Sequence, residues 1–297
     1  GMIERRREDM RRHTSFRAGG EAEYFFIPKT EEELITLIRR FSERGERFHI
    51  LGNGTNLLVS DKGLRDPVLS FRGGLSELRF LGEDPDCPGS FLLFAEAGCL
   101  LSRLSDLAES LSLSGMEALR GIPGTVGGAV VMNAGAYGTE IRDILSSASL
   151  LDAAGEPVTL SAAELELSYR HSIVAERGYT VLSALFRLSK GDPEKIRARS
   201  EEFRRKRSEK QPLNLPSAGS TFQRPEGDFA GRLIEEAGLR GFRIGGAQVS
   251  EKHCGFIVNT GNATAAEIHA LILEVIRRVK ESSGVLLKPE VKMWGSF

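Results

Sequence analysis

The sequence predicts an α+β protein of several subdomains, and three observations lead to that prediction. The chain has 297 residues, too many for one small core. Strand-like and helix-like segments are mixed along it without strict alternation. Two glycine-rich stretches interrupt these segments. We predict subdomains at residues 12–71, 72–210 and 211–297, and a last strand, with Glu290, that can return to the active site.

The first subdomain has the pattern of a small β/α unit. A strand precedes Pro28, and Thr30 is placed to cap a helix with Glu33 at the capping-box position. The segment FHIL at 48–51 is the next strand, and it ends at the first glycine stretch. The helix presents one apolar face, formed by Leu34, Leu37, Ile38 and Phe41.

The second subdomain mixes strands with amphipathic helix. The segments FLLFAEAG and YTVLSALFRL are typical of strands, and LLSRLSDLAESL is typical of a helix. A further helix begins with Asp192 as its cap and Pro193 as its first residue. Its many charges favour a solvated linker, and a basic end that faces a ligand is the alternative.

The third subdomain contains the clearest helix of the chain. Thr264 and Glu267 form a capping box at its start, and Gly284 lies near its end. Its apolar stripe consists of Ile268, Leu271, Ile272, Val275, Ile276 and Val279.

Composition excludes several classes of protein. A formal net charge of -1 without a charged tail argues against nucleic-acid and membrane-surface partners, and nothing indicates an obligate protein partner. The three cysteines form no close pair, which is typical of a reducing compartment, and no histidine has metal-ligand spacing. No apolar run is long enough for a membrane span, and the first residues lack a secretory signal. We therefore expect a cytoplasmic protein without a metal.

The first glycine stretch, residues 52–56, follows a predicted strand. Glycines permit positive φ and close approach of the backbone to a ligand, and successive amides can bind an anion. Alone, such a stretch is more often a tight turn. It is no Rossmann fingerprint, because Leu57 stands where the third glycine belongs, and no Walker motif occurs.

The second glycine stretch is denser than a turn requires. Six glycines fall within residues 121–138. A backbone that follows an extended pyrophosphate needs such density, because side chains would block the approach. Two such stretches suit a dinucleotide such as FAD.

Five segments in a fixed order carry a resemblance to a known family. They are LGNGTNLL at 51–58, GIPGTVGGAVVMNAGAYG at 121–138, SYRHS at 168–172, SAGSTFQRP at 217–225 and KPEV at 288–291. From about Arg12 to Glu290 the chain resembles UDP-N-acetylenolpyruvoylglucosamine reductase. The resemblance implies an FAD-binding fold of the p-cresol methylhydroxylase type in the first two subdomains, followed by a C-terminal α/β substrate-binding domain.

The resemblance also implies an activity and a cofactor site. The activity is the NADPH-dependent reduction, through bound FAD, of UDP-N-acetylglucosamine enolpyruvate to UDP-N-acetylmuramate during peptidoglycan synthesis. The residues implied in FAD binding are Leu51, Gly52, Asn53, Gly54, Thr55, Asn56 and Leu57 of the first stretch, and Ile122, Pro123, Gly124, Thr125, Gly127, Gly128, Ala129 and Gly135 of the second.

Three residues match the family's reacting groups. Ser220 matches the proton donor, Arg170 the arginine beside the substrate carboxylate, and Glu290 a glutamate near the developing charge. An arginine fork suits a carboxylate better than lysine does. An ionised Glu290 would repel an enolate, so we expect it to act as a neutral hydrogen-bond donor. Outside the motifs, each residue would be read as a turn residue or a surface charge.

Lys210, Arg224 and His253 match positions of the family's substrate site, although a solvated charge or a packed histidine is nearly as common there. Tyr137 and Phe222 are expected in an aromatic core, and stacking on flavin or substrate is the alternative. The tyrosine-bearing loop that closes over the substrate in some members is absent, because only a strand and one helix are predicted between Arg170 and Lys210. Two alternatives remain. One is a flavin oxidase or dehydrogenase of the same fold acting on a sugar alcohol, and the other is a non-catalytic module that binds a nucleotide sugar.

Overall fold

The structure is a computed structural model that describes residues 2–297. Its strands are β1 (Ile3–Asp9), β2 (Glu21–Ile27), β3 (His49–Leu51), β4 (Leu57–Val59), β5 (Val68–Ser70), β6 (Leu78–Glu83), β7 (Ser90–Glu96), β8 (Leu113–Ser114), β9 (Gly135–Ala136), β10 (Thr139–Glu140), β11 (Leu145–Leu151), β12 (Pro157–Ser161), β13 (Thr180–Lys190), β14 (Arg243–Ile244), β15 (Ala247–Val249), β16 (Ile257–Asn259) and β17 (Lys292–Trp294). Its helices are α1 (Glu31–Glu43), α2 (Leu101–Ser110), α3 (Val126–Met132), α4 (Ile173–Arg177), α5 (Pro193–Lys210), α6 (Ala230–Glu236) and α7 (Ala265–Ser283).

The chain folds as two compact units. Unit 1 consists of residues 2–4, 26–52 and 68–206, and unit 2 of residues 5–25, 53–67 and 207–297. The division into three subdomains stays a prediction.

Unit 1 contains an antiparallel sheet with the order β12-β11-β13-β7-β6, and β8 pairs with the end of β13. The central strand β13 pairs with β7 through Ser183 opposite Glu96 and with β11 through Ala184 opposite Ala148. Its residues Leu182, Ala184, Phe186 and Leu188 are buried at every second position, as a strand with one face on the core requires. In a second sheet, β3 pairs parallel with β5.

The predicted helices of unit 1 are confirmed, with one difference at the start of α1. Thr30 accepts a hydrogen bond from the Glu33 amide, as predicted. The Glu33 carboxylate, however, accepts from the Lys29 amide at 2.7 Å, one residue earlier than a capping box requires. The four predicted apolar residues of α1 are all buried, and Asp192 accepts a hydrogen bond from the Glu194 amide at the start of α5.

Unit 2 contains a three-stranded antiparallel sheet, β14-β15-β16, and a core to which α6 and α7 contribute. The predicted capping box of α7 is present, and Gly284 ends the helix at a φ of 77°. Asp61 adds a second cap, because its two carboxylate oxygens accept from the amides of Ala265 and Ala266 at 2.9 and 2.8 Å. The last strand, β17, pairs parallel with β4, directly after the first glycine stretch.

Candidate active site

The first glycine stretch needs glycine at two places, for two different reasons. In unit 1, a Cβ on Gly52 would lie 2.6 Å from Thr125 Oγ1, so the backbone there touches the start of α3. In unit 2, Gly54 has a φ of 63°, and a Cβ would lie 1.9 Å from the His13 carbonyl oxygen. The Gly54 carbonyl accepts from the Ser15 amide at 2.9 Å. The conformation of this loop is therefore fixed by contacts that only glycine permits.

The second glycine stretch contains a helix, α3, that the glycine count alone did not predict. Thr125 caps it by accepting from the Gly128 amide at 3.2 Å. A Cβ on Gly127 would lie 2.9 Å from the Cβ of Ala97, so this glycine permits close packing. The helix explains part of the glycine density by packing rather than by ligand approach.

The hydrogen bonds of this stretch limit which amides can bind an anion. The Val126 amide donates to the Cys99 carbonyl at 2.8 Å and the Gly127 amide to the Ala97 carbonyl at 2.9 Å. With the Gly128 amide bonded to Thr125, three consecutive amides have partners within the protein. These residues can contribute close backbone approach to a ligand but not amide donors.

Arg170 lies in a tight turn of unit 1. The amide of Ser168 donates to the carbonyl of His171 at 3.1 Å, and the amide of His171 donates back at 3.0 Å. Arg170 has a φ of 51°, a left-handed conformation that costs about 1–3 kcal/mol for residues other than glycine. Its Nη2 donates to the Gly135 carbonyl at 3.2 Å, and its guanidinium lies 5.1 Å from the ring centroid of Tyr169. Backbone strain of this kind is typical of functional positions.

Ser220 and Glu290 are brought together in unit 2 by backbone hydrogen bonds. The Glu290 amide donates to the Thr221 carbonyl at 2.8 Å, and Phe222 pairs antiparallel with Pro289. Thr221 is buried, and its Oγ1 accepts from the Ile257 amide at 3.0 Å. Ser220 is exposed, next to this anchored residue. The segments SAGSTF and KPEV, 70 residues apart in sequence from Ser220 to Glu290, thus form one short antiparallel ladder.

Asn56 connects the first glycine stretch to that ladder. Its Nδ2 donates to the Glu290 carbonyl at 3.2 Å, and its carbonyl accepts from the Lys292 amide at 3.1 Å. The sequence predicted Asn56 as a cofactor-binding residue. The structure adds that its side chain supports the backbone of Glu290.

Among the three residues predicted to bind substrate, the hydrogen bonds of His253 define its tautomer. Its Nδ1 accepts from the Gly255 amide at 3.0 Å, so the ring proton of the neutral form resides on Nε2. Burial lowers the pKa of His253, which favours that neutral form. Lys210 is exposed as the last residue of α5, and the Arg224 guanidinium lies 5.2 Å from the ring centroid of Phe229.

Of the two aromatic residues expected in a core, one is buried and the other is exposed. Phe222 is buried in the core of unit 2, as expected. Tyr137 is not in a core: it is exposed and stacks on Phe203 with ring centroids 4.9 Å apart. Between Arg170 and Lys210 the chain has the short helix α4 in addition to the predicted strand and helix.

One residue of the site was missed in the sequence. Asn133 ends α3 with a φ of 46° and is completely buried. The available signal was its place after an apolar helical run, since asparagine is a known alternative to glycine at helix ends. Its side chain is hydrogen-bonded to Glu140, Ser168 and Arg142, and no local sequence pattern predicts these partners.

Within residues 2–297, no cluster of three or more His, Cys, Asp or Glu side chains is arranged to hold a metal ion. Over the same residues, no helix combines the length and the apolar character that crossing a membrane requires.

Comparisons with known proteins agree with these features. The family profile described as "UDP-N-acetylenolpyruvoylglucosamine reductase, C-terminal domain" matches residues 211–294, and the profile "FAD binding domain" matches residues 22–161. A UDP-N-acetylenolpyruvoylglucosamine reductase of Agathobacter rectalis is 51% identical and covers 98% of this chain and 93% of its own length. The protein of the same name from Lachnoclostridium phytofermentans is 49% identical, with 97% and 92% covered.

A solved structure shares the whole fold. The crystal structure of UDP-N-acetylenolpyruvylglucosamine reductase from Thermus caldophilus superposes with a TM-score of 0.81 at 35% identity, and the match covers 99% of each chain. This similarity confirms the predicted fold class, an FAD-binding fold of the p-cresol methylhydroxylase type with a C-terminal substrate domain. The chain belongs to the UDP-N-acetylenolpyruvoylglucosamine reductase family and is an FAD-containing oxidoreductase.

Proposed function

We propose that this protein reduces UDP-N-acetylglucosamine enolpyruvate to UDP-N-acetylmuramate with NADPH as the reductant. The observation that carries the proposal is the ladder that pairs the segment after Ser220 with the segment of Glu290, because it joins two motifs of the family. Relatives of this name cover nearly the whole chain at about half identity, which supports the same activity.

The reaction adds hydrogen across a carbon–carbon double bond. One hydride from NADPH and one proton reduce the enolpyruvyl ether to a lactyl ether, and NADP+ is released. Negative charge develops on the carbon beside the carboxylate before the proton arrives. The protein therefore has to stabilise an enolate-like charge and supply one proton.

The residues present fit an FAD cofactor. Gly52 and Gly54 let the first stretch fold tightly against Thr125 and His13, where a Cβ would collide. A tight turn of this kind presents backbone amides rather than side chains to an anionic ligand. The residues proposed to hold FAD are those of 51–57 and of 122–135 predicted from the sequence. Within the second set, we assign anion donation to the amides of Gly124 and Thr125, because the next three amides are bonded within the protein. Bound FAD supplies the hydride-transfer chemistry.

Arg170 is proposed to bind the substrate carboxylate. Its guanidinium has five N–H donors in a fixed fork, so it can hold the Gly135 carbonyl and a carboxylate together. A cation at that position stabilises the enolate charge more than the neutral double bond, which lowers the barrier.

Ser220 is proposed to deliver the proton to the substrate carbon. Ser220 is exposed and directly precedes Thr221, whose hydrogen bonds hold the segment that carries the serine. Glu290 is proposed to donate a hydrogen bond from its neutral carboxyl group to the developing charge. Lys210, Arg224 and His253 are proposed to bind the nucleotide-sugar part, with His253 donating from Nε2.

We place this activity in the cytoplasm, as one step of peptidoglycan precursor synthesis on which cell-wall growth, cell shape and division depend. Cys87, Cys99 and Cys254 are free thiols, which agrees with a reducing compartment. We also propose that the chain has subdomains at 12–71, 72–210 and 211–297, and that it needs no protein partner, nucleic acid or membrane.

A visible spectrum of the purified protein tests this proposal. We expect a yellow protein whose colour enters the supernatant on acid precipitation, because no covalent attachment site is assigned. NADPH should bleach the colour, and the enolpyruvyl substrate should restore it without oxygen. A colourless protein would favour the nucleotide-sugar binding module. Oxygen consumption with a free sugar would favour the flavin oxidase.

A further inference from the structure

We propose that Asn133 is a positioning residue for this reaction. Its buried amide fixes the turn at residues 168–171, and through that turn it sets the place of the Arg170 guanidinium. The inference rests on the proposed role of Arg170 in binding the substrate carboxylate.

The hydrogen bonds of Asn133 determine its orientation. Oδ1 accepts from the Arg142 amide at 3.0 Å, so Nδ2 faces the opposite side. There Nδ2 donates to the Ser168 carbonyl at 3.0 Å and to Glu140 Oε2 at 2.9 Å. Both amide hydrogens and the amide oxygen are thus bonded in a fully buried place. Ser168 is the residue whose amide and carbonyl close the turn around Arg170.

The backbone conformation at position 133 does not by itself require an asparagine. With a φ of 46° and a ψ of 54°, the residue ends α3 in the left-handed conformation that glycine adopts most easily. Glycine would end the helix and bury no polar side chain. The amide group is therefore what asparagine adds at this position, and its partners lie on the turn and on Glu140.

The side chain of Arg170 contacts the same region of unit 1 as the side chain of Asn133. Its Nη2 donates to the Gly135 carbonyl, and Gly135 pairs with Glu140 in the β9–β10 hairpin. Asn133 thus bonds both to the backbone of the Arg170 turn and to the hairpin that the guanidinium contacts. Arg170 is itself in a left-handed conformation, which persists only where neighbouring contacts impose it.

The test uses Asn133→Gly in the FAD-loaded full chain. Glycine keeps the left-handed backbone and removes only the amide, whereas alanine would add backbone strain. Asp84→Ala is the matched control. Asp84 is also a buried polar residue of unit 1, with side-chain bonds to Arg187 and to the Asp86 amide, but it does not contact the 168–171 turn.

Two measurements separate positioning from general stability. Stopped-flow absorbance should show reoxidation by the enolpyruvyl substrate slowed roughly 10–100-fold in Asn133→Gly, because a small misplacement of a catalytic group has effects of that size. Reduction by NADPH should stay within about twofold, since it does not need the substrate carboxylate. Hydrogen exchange of the Ser168 and His171 amides should become faster in Asn133→Gly and not in Asp84→Ala.

A double-mutant cycle completes the test. In an Arg170→Ala background, Asn133→Gly should slow reoxidation little further, because the residue it positions is already gone. Full additivity of the two losses, or unchanged exchange at Ser168 and His171, would overturn the inference. If Asn133→Gly does not fold, the same measurements on Asn133→Ala decide, because alanine removes both donors without placing a second carboxylate beside Glu140.

The outcomes distinguish this inference from the proposed function. A wild-type protein that reduces no enolpyruvyl substrate would refute the function itself. Unchanged reoxidation in Arg170→Ala would refute only the role of that arginine. A slow Arg170→Ala with a normal Asn133→Gly would refute the positioning role alone.

Discussion

The two units hold their proposed reacting residues in different ways. In unit 1, Arg170 lies on a strained turn that the side chain of Asn133 ties to the end of α3. In unit 2, Ser220 and Glu290 belong to a ladder of backbone hydrogen bonds, and the Asn56 side chain adds a single bond to it. One unit thus depends on a side chain where the other depends mainly on the backbone.

This difference predicts how each site responds to substitution. A backbone ladder survives the replacement of a side chain, so the loss in Ser220 or Glu290 variants should report the chemistry of the missing group. A turn held by one buried amide can move when that amide is removed. The same loss of activity therefore has a local cause in unit 2 and can have a remote cause in unit 1.

The largest effect is expected for Ser220→Ala. The ladder should persist, because the Ser220 side chain takes no part in it, and only the proton donor is lost. Reoxidation by the enolpyruvyl substrate should slow by roughly 10²–10⁴-fold, the range typical of a general acid. Reduction by NADPH should proceed at close to the normal rate. Stopped-flow measurement of both half-reactions checks this, with Ser217→Ala of the same segment as the control. Equal slowing of the two half-reactions would contradict the proton-donor role.

The next effect concerns the state of Glu290. Glutamine keeps the length and offers N–H donors without ionising, whereas alanine removes the donor. One donor to a developing charge is worth about 2.7–4 kcal/mol in the transition state. Glu290→Gln should therefore retain clearly more of the reoxidation rate than Glu290→Ala, and its rate should decline less at high pH than that of the wild type. If Gln and Ala are equally inactive while Asp retains activity, Glu290 acts as an ionisable acid or base instead.

The sequence predicted those helices of the fold that have a periodic apolar face or a capping residue. Helices α1, α2, α5 and α7 were predicted from their apolar faces or caps, and the strongest, α7, has both predicted caps. Helix α3 was missed because it is short and four of its seven positions are glycine, alanine or methionine, which leaves only a weak apolar pattern. Its first turn is also held by backbone hydrogen bonds to Ala97 and Cys99, which are distant in sequence. Pairing of β17 with β4 and the sheet order of unit 1 involve residues far apart in sequence, which local pattern does not encode.

The site was readable only in part. Motifs identified Arg170, Ser220 and Glu290, but their roles stay predictions. The hydrogen bonds that hold these residues in place could not be predicted. The bonds of Asn133 to Ser168 and of Asn56 to Glu290 join positions that are 35 and 234 residues apart. Such a contact has no signature in one sequence, since each partner alone is an ordinary polar residue.

A smaller effect, on stability rather than on rate, is expected for Asp61→Ala. The carboxylate accepts from the first two amides of α7, so its loss leaves two donors at the helix start unsatisfied. The free energy of unfolding should fall by about 1–2 kcal/mol, the upper range for loss of a helix cap. Reoxidation should be nearly unchanged, because the ladder of Ser220 and Glu290 does not include Asp61. Urea unfolding followed by circular dichroism measures the first quantity and stopped flow the second. A large loss of reoxidation with unchanged stability would show that Asp61 acts on the site rather than on the fold.

The smallest effects should come from two histidines, one in each unit, with opposite signs. Hydrogen bonding to Glu176, at 2.6 Å, raises the pKa of His171, whereas burial lowers the pKa of His253. Stability from the His171 pair should be present below its ordinary pKa of 6.5 and be lost as the pH rises through the raised value. For His253 the unfolded chain binds the proton more readily, so stability should be present above 6.5 and be lost as the pH falls through the lowered value.

Substitution of each histidine separates these contributions. In unfolding measured between about pH 5 and 8, the range in which histidine titrates, His253→Gln should remove part of the decline on the acid side. His171→Gln should remove part of the decline on the alkaline side, and by less, because the His171 ring is at the surface and screened by solvent. Because His171 directly follows Arg170, the same variant should also speed hydrogen exchange of the 168–171 turn, but less than Asn133→Gly does. Faster exchange in His171→Gln than in Asn133→Gly would make the histidine, rather than the buried amide, the main support of the arginine.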